Sequence, residues 1–160
     1  MGIANPAFVF NVRDNDLKDY PLQKSTLLDS GSSLHIATSI SRFKSFKKAP
    51  KGDMVIAGDT LVPIEGYGKV DLIVTRPDGS RRVLGLKKVA YCPSFATSLV
   101  SFQLLQHQGI WWDNKACGDT SRLVHKSGRV ICQVKLRYGQ YVLDYRPVTA
   151  GSAAAIATAL

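Results

Sequence analysis

Long apolar runs are missing from this chain of 160 residues: no stretch of 18 consecutive apolar residues occurs, so the sequence offers no membrane-spanning helix. The N-terminus does not open with an apolar signal-like segment, which leads us to expect an intracellular protein with no membrane partner. Cysteine is scarce and odd in number. Cys92, Cys117 and Cys132 form no Cys-x-x-Cys pair, so neither a disulfide framework nor a zinc site is signalled, and free buried thiols are expected. Acidic residues are in the minority, 12 against 21 Lys and Arg, for a net charge of +9. The cations fall in small groups: Arg42, Lys44, Lys47, Lys48 and Lys51, then Arg81 and Arg82, Lys87 and Lys88, and Lys135 and Arg137. Such a balance fits non-specific RNA contact, and equally an ordinary solvated surface.

What is present suffices for one folded domain. Hydrophobic residues make up 45% and charged ones only 21%, so enough apolar surface exists for a core and global disorder is excluded. Most apolar segments are short and end in turn residues. Residues 7–12 read as a strand, 13–24 as a linker, and 25–31 as an apolar run closed by a turn. Another short apolar piece spans 34–37, and the basic, Ser-rich stretch 38–52 reads as a surface loop or a single helical turn.

Residues 54–57 and 61–75 flank Gly58-Asp59 as a β-hairpin. Arg76-Pro77-Asp78-Gly79-Ser80 is a type I turn between strands over 70–75 and 81–92. Over 98–109, Leu99, Phe102, Leu105 and Gln106 share a helical face and Gly109 is a suitable cap, which predicts one short helix. Strands follow at 110–113, 122–125, 130–136 and 141–145, and the uncharged, Ala-rich end reads as a linker. The prediction is therefore a mostly-β chain with one short helix.

One tripeptide stands out chemically. Asp29-Ser30-Gly31 is a common turn or helix-cap sequence on its own. Here it directly follows the apolar pair Leu27-Leu28, so a strand would deliver a single carboxylate onto a tight loop lined with Ser32 and Ser33. The wider stretch Leu27-Leu28-Asp29-Ser30-Gly31-Ser32-Ser33-Leu34-His35 resembles the active-site loop of copia-type retroelement proteases, whose common form is Leu-Asp-Ser-Gly-Ala-Ser-x-His. Four further blocks follow in the family's order. Residues 55–70 are similar to its flap hairpin and next strand, although the flap turn reads Gly58-Asp59-Thr60 where members often carry Gly-Asp-Gly-Ser. Residues 86–93 look like its Leu-x-x-Val-Leu-Tyr-Val-Pro strand. Residues 98–105 resemble Asn-Leu-Leu-Ser-Val-x-x-Leu, and 139–144 resemble the Gly-Leu-Tyr-x-Leu that precedes the integrase region.

This resemblance covers about residues 25–145 and implies a retropepsin-like closed β-barrel or sandwich with one short C-terminal helix. It divides the chain into an N-terminal strand and linker (1–24), a protease core (25–113), a β-hairpin extension towards the integrase region (114–146) and a flexible tail (147–160). It implies a homodimeric aspartic endopeptidase acting on Gag-Pol polyprotein peptides in cytoplasmic virus-like particles, without cofactor or metal. Asp29 would be the catalytic residue of a loop comprising Leu28, Ser30, Gly31, Ser32 and Ser33. Ser30 would bond across the dimer and Gly31 would aim an amide at the carboxylates; Ser33 is placed to bond the outer oxygen of Asp29. Ile56, Ala57, Gly58, Asp59 and Thr60 would form the flap over substrate.

His35, His107 and His125 read as packing or surface residues. Trp111 and Trp112 read as core and dimer packing, and Asp14, Asp16, Asp19 and Asp113 as solvated carboxylates. Cys117 with His107 lacks the setting of a nucleophile. The other functional class to weigh is a retroelement-derived dimerisation or RNA-associated module without catalysis.

Overall fold

The computed structural model describes residues 20–115 and 120–148. The strand expected at 7–12, Asp14, Asp16, Asp19, Cys117 and the Ala-rich end lie outside the described residues. In chain order the strands are β1 (Thr26–Asp29), β2 (Ile36–Ala37), β3 (Phe43–Lys48), β4 (Met54–Ala57), β5 (Thr60–Pro63), β6 (Gly66–Thr75), β7 (Arg81–Tyr91), β8 (Ser98–Ser101), β9 (Ile110–Asp113), β10 (Thr120–His125), β11 (Val130–Arg137) and β12 (Gln140–Asp144). One α-helix, α1 (Phe102–His107), lies among the described residues, with a single 3-10 turn at Ile40–Arg42. The chain is mostly β with one short helix, as its turn-bounded apolar segments predict.

Ten strands form one sheet in the order β3-β6-β7-β2-β8-β1-β12-β11-β10-β9, while β4 and β5 pair separately. Among the described residues the ladder ends at two unpaired edges, β3 and β9, so the closure expected of a barrel is not made by hydrogen bonds between them. The sheet folds over instead: β11 and β12 pack against β6, and β11 against β7. The strands assigned to an extension beyond residue 113 continue this sheet, and β12 lies directly beside β1.

Central strands are buried on both faces, which explains their adjacent apolar pairs. Leu27, Leu99 and Val142 join one core cluster, with Leu22, Ile36, Val62 and Cys92. Their neighbours Leu28, Val100 and Leu143 point the other way, into a cluster with Val70, Leu72, Leu105, Leu123 and Val134. Such pairing also corrects the helix prediction. Residues 98–101 form a strand, parallel to β1 from Thr26↔Ser98 to Asp29↔Ser101, and only 102–107 are helical. Gly109, at φ +75°, ends that helix as expected.

The stretch 38–52 is not simply a loop or a helical turn, because β3 runs through it as the edge partner of β6. A bulge between Phe43 and Ser45 breaks its alternation, and Phe43 and Phe46 both meet Tyr91 edge-to-face at 5.8 Å. The close crossing of β3 over β6 depends on glycine: a Cβ on Gly68 would run into the Ser45 carbonyl oxygen. Lys44, Lys47 and Lys48 are exposed on this edge, where charge discourages pairing with another sheet. Both predicted turns form: Gly58-Asp59 joins β4 to β5, and the Gly79 N–H donates to the Arg76 carbonyl at 2.9 Å in the β6–β7 turn. Cys92 and Cys132 are free and buried, and burial raises their thiols to about 11 and about 12 respectively. Of the two tryptophans read as core and dimer packing, Trp112 packs against the core, and Trp111 is 52% exposed on β9.

Candidate active site

Every residue of β1 is buried, and the strand ends at Asp29, which is only 4% exposed. Beyond it the chain turns sharply through the half-buried Gly31 and Ser32, and the Gly31 N–H donates to Asp29 Oδ1 at 2.8 Å. The other carboxylate oxygen, Oδ2, is shut off from solvent and has no hydrogen-bond partner among the described residues. Burial raises the proton affinity of Asp29 above the ordinary carboxylate value, while the Gly31 and Ser32 amides pull it back. Burial thus favours the protonated form of this carboxyl, as suits a group that holds or exchanges a proton.

The loop after Asp29 is fixed from behind by two residues. Ser101, opposite Asp29 in the parallel ladder, donates its hydroxyl to the Ser32 carbonyl at 2.6 Å. The same Oγ caps α1 by accepting from the Leu104 N–H at 3.3 Å. Its own backbone N–H donates to His35 Nδ1 at 3.0 Å. Fully buried, His35 must be neutral to accept that bond, and desolvation lowers its pKa to about 4. Ser32 closes the loop by donating to the Leu34 carbonyl at 2.6 Å. Sequence reading places His35 in the packing but misses Ser101, whose signal is a serine immediately before the helical run Phe102-Gln103-Leu104-Leu105.

Asp29 lies at the floor of a cleft of about 760 Å³. The loop from Ser30 to Leu34 lines one side, Met54, Val55, Ile56 and Gly58 of the flap hairpin another, and Phe102, Gln103 and Gln106 of α1 a third. Leu99, Ile36 and Phe95 complete an apolar wall. Leu28 is packed beneath, in the core. Asp59 and Thr60 form the far side of the flap turn, and Ala57 pairs with Thr60. The flap projects Ile56, 71% exposed, and Leu61, 61% exposed, outward. Its base is tied down where the Tyr67 hydroxyl donates to Asp53 Oδ2 at 2.8 Å and the Ile64 N–H donates to the Asp53 carbonyl. Ser30 and Ser33 are exposed. Ser33 makes no hydrogen bond to Asp29, whose anchored oxygen is held by the Gly31 amide instead.

The strand carrying Asp29 is also braced from its other side. Asp144, in register with Thr26, accepts from Arg146 Nε at 2.9 Å and lies 3.8 Å from the Arg42 guanidinium. Arg42 in turn donates to Thr26 Oγ1 at 2.6 Å and to the Lys24 carbonyl. His107 and His125 lie outside the cleft lining, and Asp113 is paired with Arg122 at 3.0 Å rather than simply solvated. No group of three or more His, Cys, Asp or Glu able to hold a metal ion occurs among the described residues.

Comparison with known families matches residues 26–110 to the Pol polyprotein, beta-barrel domain. That span is more than half of the chain. The protein belongs to this family. A search of curated proteins found no match. The family span begins at the first residue of β1, contains the Asp29 loop, the flap and α1, and ends as β9 starts. A Pol polyprotein origin, and with it a retroelement one, follows from the family. β10 to β12 of this Pol domain lie beyond the family span, although β12 shares a ladder with the Asp29 strand.

Proposed function

We propose that this Pol domain is a copia-type aspartic endopeptidase that acts as a homodimer and processes a Gag-Pol polyprotein. The observation that carries this reading is the state of Asp29. One carboxylate oxygen is anchored by a backbone amide, the other is bare and dry, the proton affinity is raised, and a peptide-sized cleft opens beside it under a hairpin.

A protomer supplies half of the chemistry. Peptide hydrolysis without a covalent intermediate needs one carboxylate to take a proton from water and one carboxylic acid to give a proton to the substrate. A second copy brings Asp29 of the partner subunit against the bare Oδ2. Two carboxyls at that separation share one proton and titrate as a pair. The ionised member draws a proton from the water between them as its oxygen attacks the scissile carbonyl. The protonated member hydrogen-bonds the carbonyl oxygen and stabilises the tetrahedral intermediate, and a proton is then delivered to the leaving nitrogen.

Ser30, exposed in the protomer, is placed to bridge the two loops. The flap from Ile56 to Thr60 closes over the peptide backbone and excludes water. The wall formed by Ile36, Val55, Leu99 and Phe102 favours apolar side chains at the cleavage site.

The test is cleavage of a precursor peptide carrying the chain's own flanking sequences, with and without pepstatin. Pepstatin-sensitive cleavage whose specific activity rises with enzyme concentration is expected of an obligate dimer. A folded protein that cuts nothing at any concentration would instead leave the non-catalytic dimerisation or RNA-associated module.

A further inference from the structure

A fully buried serine, Ser101, reaches the loop that carries Asp29 from outside it. Its place follows from the strand pairing. β1 and β8 run parallel and in register from Thr26↔Ser98 to Asp29↔Ser101, so both strands end at one level. The chain leaves β1 into the Asp29 loop and leaves β8 into α1 side by side. Strand alternation sets Ser101 on the face of β8 that also carries Leu99, a residue of the cleft wall.

The Ser101 hydroxyl is committed twice. The Leu104 N–H, which can only donate, meets Oγ at 3.3 Å. The Ser32 carbonyl, which can only accept, lies 2.6 Å from the same atom, so the hydroxyl proton is directed at Ser32. The backbone of Ser101 is held as well, by donation to the buried, neutral His35 at 3.0 Å. Ser32 is the residue whose amide, with that of Gly31, faces the Asp29 carboxylate. A bond to its carbonyl fixes its backbone, and with it the direction of that amide.

We propose that Ser101 is a positioning residue for Asp29, holding the Gly31–Ser32 backbone so that its amides stay aimed at the carboxylate. Removing the hydroxyl leaves the Ser32 carbonyl and the Leu104 N–H without this partner. The loop then loosens, and the amides that oppose the desolvation of Asp29 no longer do so, which makes the carboxyl a still weaker acid. The cleft lining holds no titratable side chain besides Asp29. His35, bonded to the Ser101 N–H and lowered by burial to about 4, is common to every protein compared below. The effect on Asp29 does not depend on proteolysis, whereas the effect on turnover rests on the protease reading.

The experiment follows the carboxyl carbon NMR resonance of Asp29 in the full chain through a pH titration, assigned by its absence in Asp29→Asn. Cleavage kinetics on the precursor peptide are measured alongside. Ser101→Ala is compared with wild type and with Ser101→Thr, which keeps the hydroxyl. A third comparison, Ser98→Ala, removes another buried hydroxyl of β8, one that bonds Thr38 rather than the loop. In Ser101→Ala the Asp29 midpoint should move up by about half a unit or more, and kcat should fall roughly tenfold with KM within about twofold. Ser101→Thr and Ser98→Ala should titrate and turn over like wild type. An Asp29 titration unmoved in Ser101→Ala, or moved equally in Ser98→Ala, overturns the assignment. If Ser101→Ala does not fold, Ser101→Cys keeps the size, weakens the donor and is read in the same way. A wild type that cuts nothing, with the Asp29 titration still moved by Ser101→Ala, removes the protease reading and leaves the positioning role in place.

Discussion

Acid should loosen this protein through one buried histidine. His35 holds the Ser101 N–H only in its neutral form, because a protonated imidazole has no lone pair left to accept that bond. Its pKa is about 4 in the folded chain, against the 6.5 of an unburied imidazole, which is the value expected once the chain unfolds. As pH falls below about 6.5 the unfolded chain therefore takes up a proton that the folded chain refuses. The stability concerned is fully present above that value and is lost as pH falls through about 4. The full difference is about 3 kcal/mol, of which about 2 kcal/mol is gone by about pH 5.

Urea denaturation of wild type and of His35→Gln at neutral pH and at about pH 5 isolates this effect. Glutamine offers a carbonyl oxygen to Ser101 and does not titrate. Wild type should lose about 2 kcal/mol more than the variant over that interval. Asp29 titrates in both proteins and with the opposite sign, since a raised carboxyl pKa favours the fold as it protonates, so it cancels in the comparison. A wild-type-minus-variant difference that stays flat over this range would refute the reasoning, and with it the neutral His35–Ser101 contact.

Three other perturbations probe the frame around Asp29. Gly68→Ala drives a methyl group into the Ser45 backbone carbonyl and should cost at least about 2 kcal/mol in chemical denaturation, or prevent folding. Asp144→Ala leaves the largely buried Arg42 guanidinium without its carboxylate and frees Arg146 from β12; a loss of about 2 kcal/mol is expected, read as a lower urea midpoint. Truncation after Asp113 removes β10 to β12, uncovers the edge of β1 and takes Leu123, Val134 and Leu143 from the core. Calorimetry of that fragment should show no cooperative transition.

Local chemistry makes much of this fold legible. Both hairpin turns, at Gly58-Asp59 and Arg76–Ser80, follow from residues that prefer those backbone conformations, and the structure forms both. The stop of α1 at Gly109 is of the same kind. Elements set by partners distant in sequence are harder to read. Periodicity draws the helix too long because Leu99 and Val100 feed two different clusters, a pattern it does not separate from a helical face. β3 escapes the same reading because its bulge places Phe43 and Phe46 on one aromatic patch three positions apart, against the alternation of a strand.

At the site, the short motif after Leu27-Leu28 draws attention to Asp29. The bare Oδ2, the Ser101 anchor and the pairing of β12 with β1 depend on segments about 70 to 120 residues away, as the hydrogen bonds of Ser101 to Ser32 and of Arg146 to Ser25 show. No local pattern encodes contacts of that span.

The most direct test of the central claim compares wild type with Asp29→Asn on the precursor peptide between mildly acidic and neutral pH, alongside their thermal unfolding. Asparagine keeps the shape of the side chain and removes the ionisable group. The proposal predicts that wild type cuts while the variant is inactive, and that the variant is at least as stable as wild type at neutral pH, because a dry carboxylate no longer has to be held ionised. Equal cleavage by a folded Asp29→Asn protein would contradict the assignment of Asp29 as the catalytic carboxylate.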